Sequence, residues 1–520
     1  MTTAARRTIL VGVLVLAMSL RVLGIGFDLP FVYHPDEPFN VAIVQSIFKY
    51  GDFNPHYFVY PTLFYYLNAV AYVPYYVAGT MLGVFHSRQD IGALTELAMG
   101  VTKAAQPSVV LVSRLVSAAA STGAVALTFV AGMRLFRSVA VATLAALMMA
   151  IVPTGVSIAR YITPDSCVLL LTSAVLLAAV LVYEQGRLRH YVAAGLLVGF
   201  AASTKYNAAL AVLPIIAAHF LRGGNGGLRD RNLWVALLCC CAGFVAGTPY
   251  AVLDARNFFD YLMIDARHYT RGHPGMEGDP FRWYVTYMAS TAAVPYALAV
   301  LEMLRALFVR SKQLMLLAAF PVGYFLFIIS FEVRNDRTFL PLTPFLFLLA
   351  ASFLVNAWGV ASRSANGAWR TCLHALIVVL AAAGLVQPGA NTYRETAKLM
   401  HPDGRETSRE WIAAHLPRGS RIAFESYAPY IDPAQYRTLS IPRIIDHDAD
   451  WYAENDFRYL VLSAGLYGRY FREPARYPED VAKYERFFER FRLLKRFDDG
   501  GYEIRIYEIA RQPPAQLSRP

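Results

Sequence analysis

Long apolar runs alternate with short polar connections over most of this chain. Runs of near-bilayer length fall at residues 9–26, 107–133, 139–157, 163–183, 191–202, 207–221, 232–248, 284–304, 314–331, 338–357 and 371–385. A crossing helix needs roughly 20 predominantly apolar residues, so the pattern predicts about eleven spans. The short pair around Lys205 reads as a broken helix or as two tilted ones. The first run follows Arg6 and Arg7 and has signal-peptide character. No convincing small-residue cleavage site follows before Phe27-Asp28-Leu29-Pro30, so it is read as an uncleaved first span.

The connections test this count. With the N-terminus inside, the inner loops carry Arg134 and Arg137, then Arg187, Arg189 and His190, then Arg222, Arg229 and Arg231. Arg305, Arg310 and Lys312 follow, then Arg363 and Arg370. Every one is basic, as the positive-inside rule asks. The same count places residues 28–106, the loop 249–282 and the tail after about residue 387 outside. Residues 63–85 are apolar and Tyr-rich, but an extra span there would invert every later loop. They are read as a surface-lying or re-entrant element. The Gly-rich stretch 223–227 lacks the Lys-Ser/Thr of a phosphate-binding loop and reads as a flexible inner connection.

The tail differs in kind. Residues 405–416 and 478–495 read as helices, and 421–425, 457–463 and 502–509 as strands. The predicted architecture is an α-helical polytopic membrane domain, residues 1–388, with a large first outer loop at 28–106. A small extracytoplasmic α/β domain, residues 389–520, follows.

Composition sharpens this. The chain has 520 residues, 56% hydrophobic and only 16% charged. Ordinary soluble domains carry roughly 25% charged residues, so that class is excluded. Aromatics at 13%, with 32 Tyr, suit membrane-interface belts. A net charge of +11 would suggest nucleic acid in a soluble protein. Here it reflects basic inner loops and attraction to anionic lipid, with no zinc-finger spacing and no concentrated Lys/Arg tract. The five cysteines, Cys167, Cys239, Cys240, Cys241 and Cys372, all lie in apolar stretches and form no disulfide framework or metal knuckle.

Candidate chemistry clusters at the outer ends of spans. Tyr33-His34-Pro35-Asp36-Glu37 places adjacent carboxylates beside an apolar helix, where repulsion and desolvation suit a base or a metal ligand. The plainer reading is that Asp36 caps a helix starting near Pro38. Asn54-Pro55-His56 and Tyr60-Pro61 form an aromatic, Pro-rich surface segment. In Arg160-Tyr161-Ile162-Thr163-Pro164-Asp165, Pro164 starts a helix and Asp165 sits in its first turn, where capping alone would account for it. Lys205 stands between apolar stretches with no adjacent acid. A lipid-linked phosphate would satisfy it, and snorkelling to the headgroups is the alternative. Arg114 lies inside its span and poses the same question, with Asp36, Glu37 or Asp165 as possible partners. His268 and His273 share one outer loop, a weak metal signal. Arg334-Asn335-Asp336-Arg337 puts two guanidiniums at an outer span end, where phosphate or pyrophosphate is a better partner than apolar lipid.

In this order the motifs resemble those of the multi-span glycosyltransferases that use polyprenyl-phosphate-linked sugars, the GT-C superfamily. Within it the resemblance is to the bacterial branch related to the protein O-mannosyltransferases and the lipid A aminoarabinose transferase. It spans roughly residues 8–350 and weakens in the tail. His34-Pro35-Asp36-Glu37 is similar to the family's acidic motif, and Asn54-Pro55-His56 with Tyr60-Pro61 to the segment after it. Arg160-Tyr161 with Pro164-Asp165 is similar to a second outer motif, and Ser203-Thr204-Lys205-Tyr206 to a lysine-containing stretch. Arg334-Asn335-Asp336-Arg337 and Leu340-Pro341 resemble an Arg-Tyr-Leu-Leu-Pro segment, with Thr338 in place of the usual Tyr.

The resemblance implies an inverting transfer from a polyprenyl-phosphate sugar to a protein, lipid or glycan hydroxyl, outside the bacterial inner membrane. Asp36 would be the general base, assisted by Glu37 or by a divalent ion. Lys205, Arg334 or Arg337 would steady the phosphate. His34, His56, Tyr60, Arg114, Arg160, Tyr161, Asp165, His268 and His273 would support them. Mg²⁺ or Mn²⁺ on Asp36, Glu37 and Asp165 is an open expectation. Tyr467, Arg469 and Tyr470 are candidates for acceptor contact in the tail. A lipid or polysaccharide transporter is the competing class, but no two-half repeat is apparent and the charged motifs share one face.

Overall fold

The computed structural model describes residues 2–92, 94–98, 101–223, 227–498 and 500–509. Most of the Gly-rich 223–227 connection therefore lies outside the described residues. Contacts divide the chain into two units. The first holds Met1–Ile25, Ile43–Arg88 and Leu111–Thr396, and the second Gly26–Ala42, Gln89–Val110 and Ala397–Pro520.

The first unit is helical. Six helices among the described residues are long and apolar enough to cross a membrane: Thr3–Val22, Pro107–Phe136, Asp165–Gln185, Pro280–Val309, Asp336–Ser362 and Gly367–Lys398. Five shorter apolar helices, Val139–Ile151, Leu188–Ala202, Tyr206–Arg222, Arg231–Gly247 and Lys312–Ile328, fall on the remaining apolar runs. The protein is a multi-pass membrane protein. Leu63–Met81 forms one continuous helix and is not among the span-like set.

Local chemistry sets the ends. Ser138, Asp230, Asp279 and Ser311 each accept a backbone N–H at the start of their helices, satisfying donors that have no helical partner. The expected 139–157 run is broken at Val152, whose extended backbone precedes Pro153, as the ring of a proline requires of its predecessor. The Pro280–Val309 helix kinks at Ala292, three residues before Pro295. Gln387 repairs the gap: its Oε1 accepts from Ala293 N–H at 2.9 Å and its Nε2 donates to Ala289 O at 2.9 Å. Away from water a broken helix has to be satisfied this way.

Small residues let two helices touch. A Cβ added at Gly199 would lie 2.3 Å from Cys240 O, and one at Gly195 would lie 2.2 Å from Ala236 O. The Leu188–Ala202 and Arg231–Gly247 backbones pack without intervening side chains.

The second unit contains two sheets. Strands β1 (Phe31–Val32), β2 (Leu94–Ala98) and β3 (Val101–Ala104) form a three-stranded sheet of order β1-β3-β2. Strands β4 (Arg421–Glu425), β5 (Arg437–Ile441), β6 (Tyr459–Ser463), β7 (Arg492–Phe497) and β8 (Ile504–Glu508) form another of order β5-β4-β6-β8-β7. β4 runs parallel to β5 and β6, and β8 runs antiparallel to β6 and β7. Alternate residues feed two cores. Ile422, Phe424 and Val461 pack on one face, Ala423, Leu460 and Leu462 on the other.

The tail corrects two sequence readings. The helix expected over 478–495 ends at Arg490, and β7 follows. β7 is an edge strand carrying Arg492, Lys495 and Arg496, charges that guard an edge and blur its alternation. β5, the opposite edge, was not expected at all.

Glu425 ends β4 inside the tail core. It accepts from Ser463 N–H at 2.9 Å, Ile444 N–H at 3.2 Å and Tyr484 O–H at 2.9 Å. Burial still pushes its carboxyl up to about 7. A raised acid stabilises the fold below its unfolded value and loses that contribution as pH rises through the folded one. The tail is therefore expected to melt at a lower temperature at pH 8.5 than at pH 5. Glu425→Gln should remove the part of that slope lying between about pH 4.5 and pH 7. An unchanged slope in the variant would contradict the assignment.

Candidate active site

The Asp165–Gln185 helix begins directly after Pro164, so Asp165 occupies its first turn. Past the end of the Leu188–Ala202 helix, forty residues after Asp165, Lys205 adopts an extended backbone before a short 3₁₀ turn, Tyr206–Val212. The short apolar pair is two helices folded back on each other, with Tyr191 Oη at the start of the first 2.7 Å from His219 Nδ1 near the end of the second. The break between them is held by neighbours: Leu63 N–H donates to Ser203 O at 3.1 Å, and Ser203 Oγ lies 2.8 Å from Thr248 Oγ1. Lys205 Nζ donates to Asp165 Oδ1 at 2.8 Å, and both residues are buried. Arg337 Nη1 lies 4.0 Å from Asp165 Oδ2.

This corrects the reading of Lys205 as a cation without an acid. Its partner comes from another helix, which residue adjacency does not reveal. Two cations, Lys205 and Arg337, thus meet at the Asp165 carboxylate, and Asp265 and Asp336 lie within the electrostatic field of the same group. A phosphate would find an electrostatic partner here.

Beside Lys205 lies a cavity of about 220 Å³. Val59, Tyr60, Leu262, Phe327 and Phe331 make its wall mainly apolar, and Lys205, Asn207 and Asp265 supply polar groups. Asn207 Nδ2 donates to Tyr324 Oη at 2.8 Å, and Tyr324 O–H donates to Thr338 O at 3.1 Å. Asp265, on the Ala255–Arg271 helix, escaped the sequence reading. Its signal was an acid directly after the apolar triplet Leu262-Met263-Ile264, four positions before Tyr269, which also lines the cavity. Desolvation pushes its carboxyl up to about 6 against the pull of Lys205.

The 334–337 motif is brought to the same loop cluster as the two histidines. Val333 N–H donates to Tyr269 O at 3.3 Å and Arg334 N–H to Met276 O at 3.0 Å. His268 and His273 stack edge to face with centroids 5.6 Å apart. Gly278 has φ +117°, and a Cβ there would come within 2.9 Å of the Arg334 guanidinium. Asn335 Oδ1 accepts from both the N–H and the O–H of Thr338 at 2.8 Å, so Asn335 caps the short helix Asp336–Phe339 and holds the Thr standing where the resemblance has Tyr.

Other candidates have structural partners. Arg160 Nη2 donates to Leu20 O at 2.6 Å and to Thr396 Oγ1 at 2.7 Å. Arg114 Nη1 donates to Ile25 O at 2.8 Å. Ile25 and Thr396 are the last residues of the first unit before the chain enters the second. These arginines pin the exits of the chain, and Tyr161 follows in the turn after Arg160. His56 sits on an exposed turn 3.0 Å from Asp52 Oδ2.

The acidic motif belongs to the second unit. Its helix, Asp36–Tyr50, starts two residues earlier than the capping reading requires. His34 supplies the acceptor: its Nδ1 takes the Asp36 N–H at 3.2 Å, and its backbone O takes the Glu37 N–H at 3.2 Å. Asp36 is therefore a first-turn residue and not the cap, and Glu37 is fully buried. Tyr467 and Tyr470 are buried in the tail core and Arg469 is bonded to Gly465 O at 2.8 Å, so this trio is structural.

Among the described residues no group of three or more His, Cys, Asp or Glu side chains is placed to hold a metal. Asp165 already serves Lys205 and Arg337, a donor set that fits an ion pair better than a cation site.

Residues 92–248 match the family model for dolichyl-phosphate-mannose-protein mannosyltransferase. The crystal structure of ArnT from Cupriavidus metallidurans bound to undecaprenyl phosphate aligns with 98% of this chain and 99% of its own, at TM-score 0.53 and 14% identity. The two share a fold. The Archaeoglobus fulgidus oligosaccharyltransferase tethered to an acceptor peptide aligns with 98% of this chain and 74% of its own, at TM-score 0.56 and 12% identity. The same organism's oligosaccharyltransferase AglB, with an inhibitory peptide and dolichol-phosphate, aligns with 99% of this chain and 75% of its own, at TM-score 0.51 and 13% identity. No curated protein matches the sequence.

Removing one partner of a buried ion pair leaves a charge uncompensated, which costs roughly 3–5 kcal/mol. Asp165→Ala should accordingly destabilise the membrane domain strongly, read as the melting temperature of the protein in lipid. Asp165→Leu combined with Lys205→Met should recover much of the loss. Equal damage from both would contradict the pairing.

Proposed function

We propose that the protein is an inverting glycosyltransferase that uses a polyprenyl-phosphate-linked sugar on the outer face of the bacterial inner membrane. The observation that carries this reading is the pair of cations, Lys205 and Arg337, gathered at Asp165, with Lys205 lining an apolar cavity between helices. A phosphate headgroup on a prenyl chain has the matching chemistry: anionic at one end, apolar along the rest. The undecaprenyl phosphate bound to ArnT and the dolichol-phosphate bound to AglB support such a carrier.

In the proposed reaction an acceptor hydroxyl oxygen bonds to the anomeric carbon while the bond from that carbon to the phosphate oxygen breaks. The electron pair leaves with polyprenyl phosphate, whose charge Lys205, Arg334 and Arg337 neutralise. The hydroxyl proton passes to Asp36, the general base, with Glu37 beside it. A single displacement inverts the anomeric centre. A stabilised phosphate needs no proton to depart, so one base and a cationic clamp are sufficient.

Purified protein in lipid should release polyprenyl phosphate from one donor of a sugar panel when membrane extract supplies acceptors. Asp36→Asn keeps the size of the residue and removes the base. Turnover should fall by about 10²- to 10⁴-fold, the usual contribution of a general base. Undiminished turnover would remove Asp36 from that role. A chelator arm tests the divalent-ion expectation on Asp36, Glu37 and Asp165.

A further inference from the structure

The acidic motif follows a short segment that the tail grips from one side. β1 pairs with β3, with Phe31 opposite Lys103 and Val32 opposite Thr102, and Ala104 N–H donates to Pro30 O at 2.7 Å. That sheet fixes the chain up to Val32. Tyr33 is then held by the tail helix Gly404–His415. The Arg405 guanidinium stacks 4.4 Å above the Tyr33 ring, and its Nη1 reaches Tyr33 O at 3.4 Å. Tyr33 O–H donates to Glu406 Oε2 at 3.4 Å. One helical turn on, Arg409 stacks 4.7 Å over the Phe31 ring, and Tyr430 packs against that ring at 5.1 Å.

Arg405 is itself immobilised. Asp403 takes its fork in two bonds, Nε to Oδ1 at 3.0 Å and Nη2 to Oδ2 at 2.7 Å. Gly501 makes room for that carboxylate, because a Cβ there would stand 2.2 Å from Asp403 Oδ2, and the backbone there has φ +67°. Nine-tenths of Arg405 is buried. A bidentate, stacked arginine sets both distance and plane, which a lysine cannot do.

We infer that Arg405 is a positioning residue: through Tyr33 it fixes the start of the acidic motif, and so the place of the Asp36 carboxylate. The path is short. Tyr33 is followed by His34, whose ring and carbonyl accept the N–H groups of Asp36 and Glu37. The tail is thereby a working part of the catalytic apparatus. The inference rests on the proposed role of Asp36. It adds a residue far along the chain that never touches substrate.

The test uses the full-length protein in lipid nanodiscs, with Arg405→Gln, Arg405→Lys and Tyr33→Leu. A misplacement near 1 Å is worth about 10²-fold in rate, so kcat should fall by about 10- to 100-fold. The KM for the polyprenyl-phosphate donor should stay within about twofold, because no donor contact is removed. Arg405→Lys should not restore kcat. Hydrogen exchange gives a readout independent of activity. Amides over 31–40 should lose protection in the variants while those of β4 and β6 keep theirs. Unchanged kcat and unchanged exchange over 31–40 would overturn the inference. So would loss of protection in β4 and β6 together with 31–40, which would make Arg405 merely structural. If wild type consumes no donor, the transferase reading fails first and the positioning role with it.

Discussion

A charge held away from water must find its counter-charge inside the protein, and the Lys205–Asp165 contact at 2.8 Å is where this fold meets that demand. Much of the membrane domain's local structure serves it. The break after the Leu188–Ala202 helix delivers the lysine, and Pro164 starts the helix that delivers the aspartate. Ser203, Thr248 and Leu63 hold the break open with their own hydrogen bonds. Arg337 adds the second cation, placed by a short turn that Asn335 caps. The guanidinium brings a second cation to the pair, and the apolar cavity beside Lys205 limits which anions can approach it.

The same demand explains features with no part in chemistry. Arg21 donates to Ala17 O, Ala150 O and Met149 O, where the Val139–Ile151 helix ends. Gln387 fills the kink at Ala292. Arg160 and Arg114 close the carbonyls at the chain exits. A membrane-depth arginine is therefore ambiguous in sequence. Arg114 and Arg337 look alike there, yet Arg114 binds a backbone carbonyl and Arg337 faces a carboxylate.

Helix placement was legible because hydrophobic length is a strong signal. Each of the eleven apolar runs carries a helix, and the outer motifs lie where the runs end. Partners in space were not legible. Nothing in the stretch Ala202-Ser203-Thr204-Lys205-Tyr206 names Asp165, and nothing near Asp36 names His34 as the cap, because a histidine ring is an unusual cap acceptor. In the tail, β4 and β6 were visible as buried apolar strands, while β5 and β7 were hidden by edge positions whose charges break the alternation. The contact of Arg405 with Tyr33 joins residues far apart in sequence, which only the fold brings together.

The central claim is that the two cations gathered at Asp165 form a site for a lipid-linked phosphate. Binding of polyprenyl monophosphate to the protein in nanodiscs tests it most directly, with polyprenol as the control that lacks the headgroup. The account predicts that wild type prefers the phosphate. It also predicts that Arg337→Gln, which spares the Lys205–Asp165 pair, weakens phosphate binding by about tenfold, or roughly 1.4 kcal/mol, and leaves polyprenol binding alone. Equal affinity of wild type for both lipids, or an Arg337→Gln variant that binds the phosphate as wild type does, would contradict it.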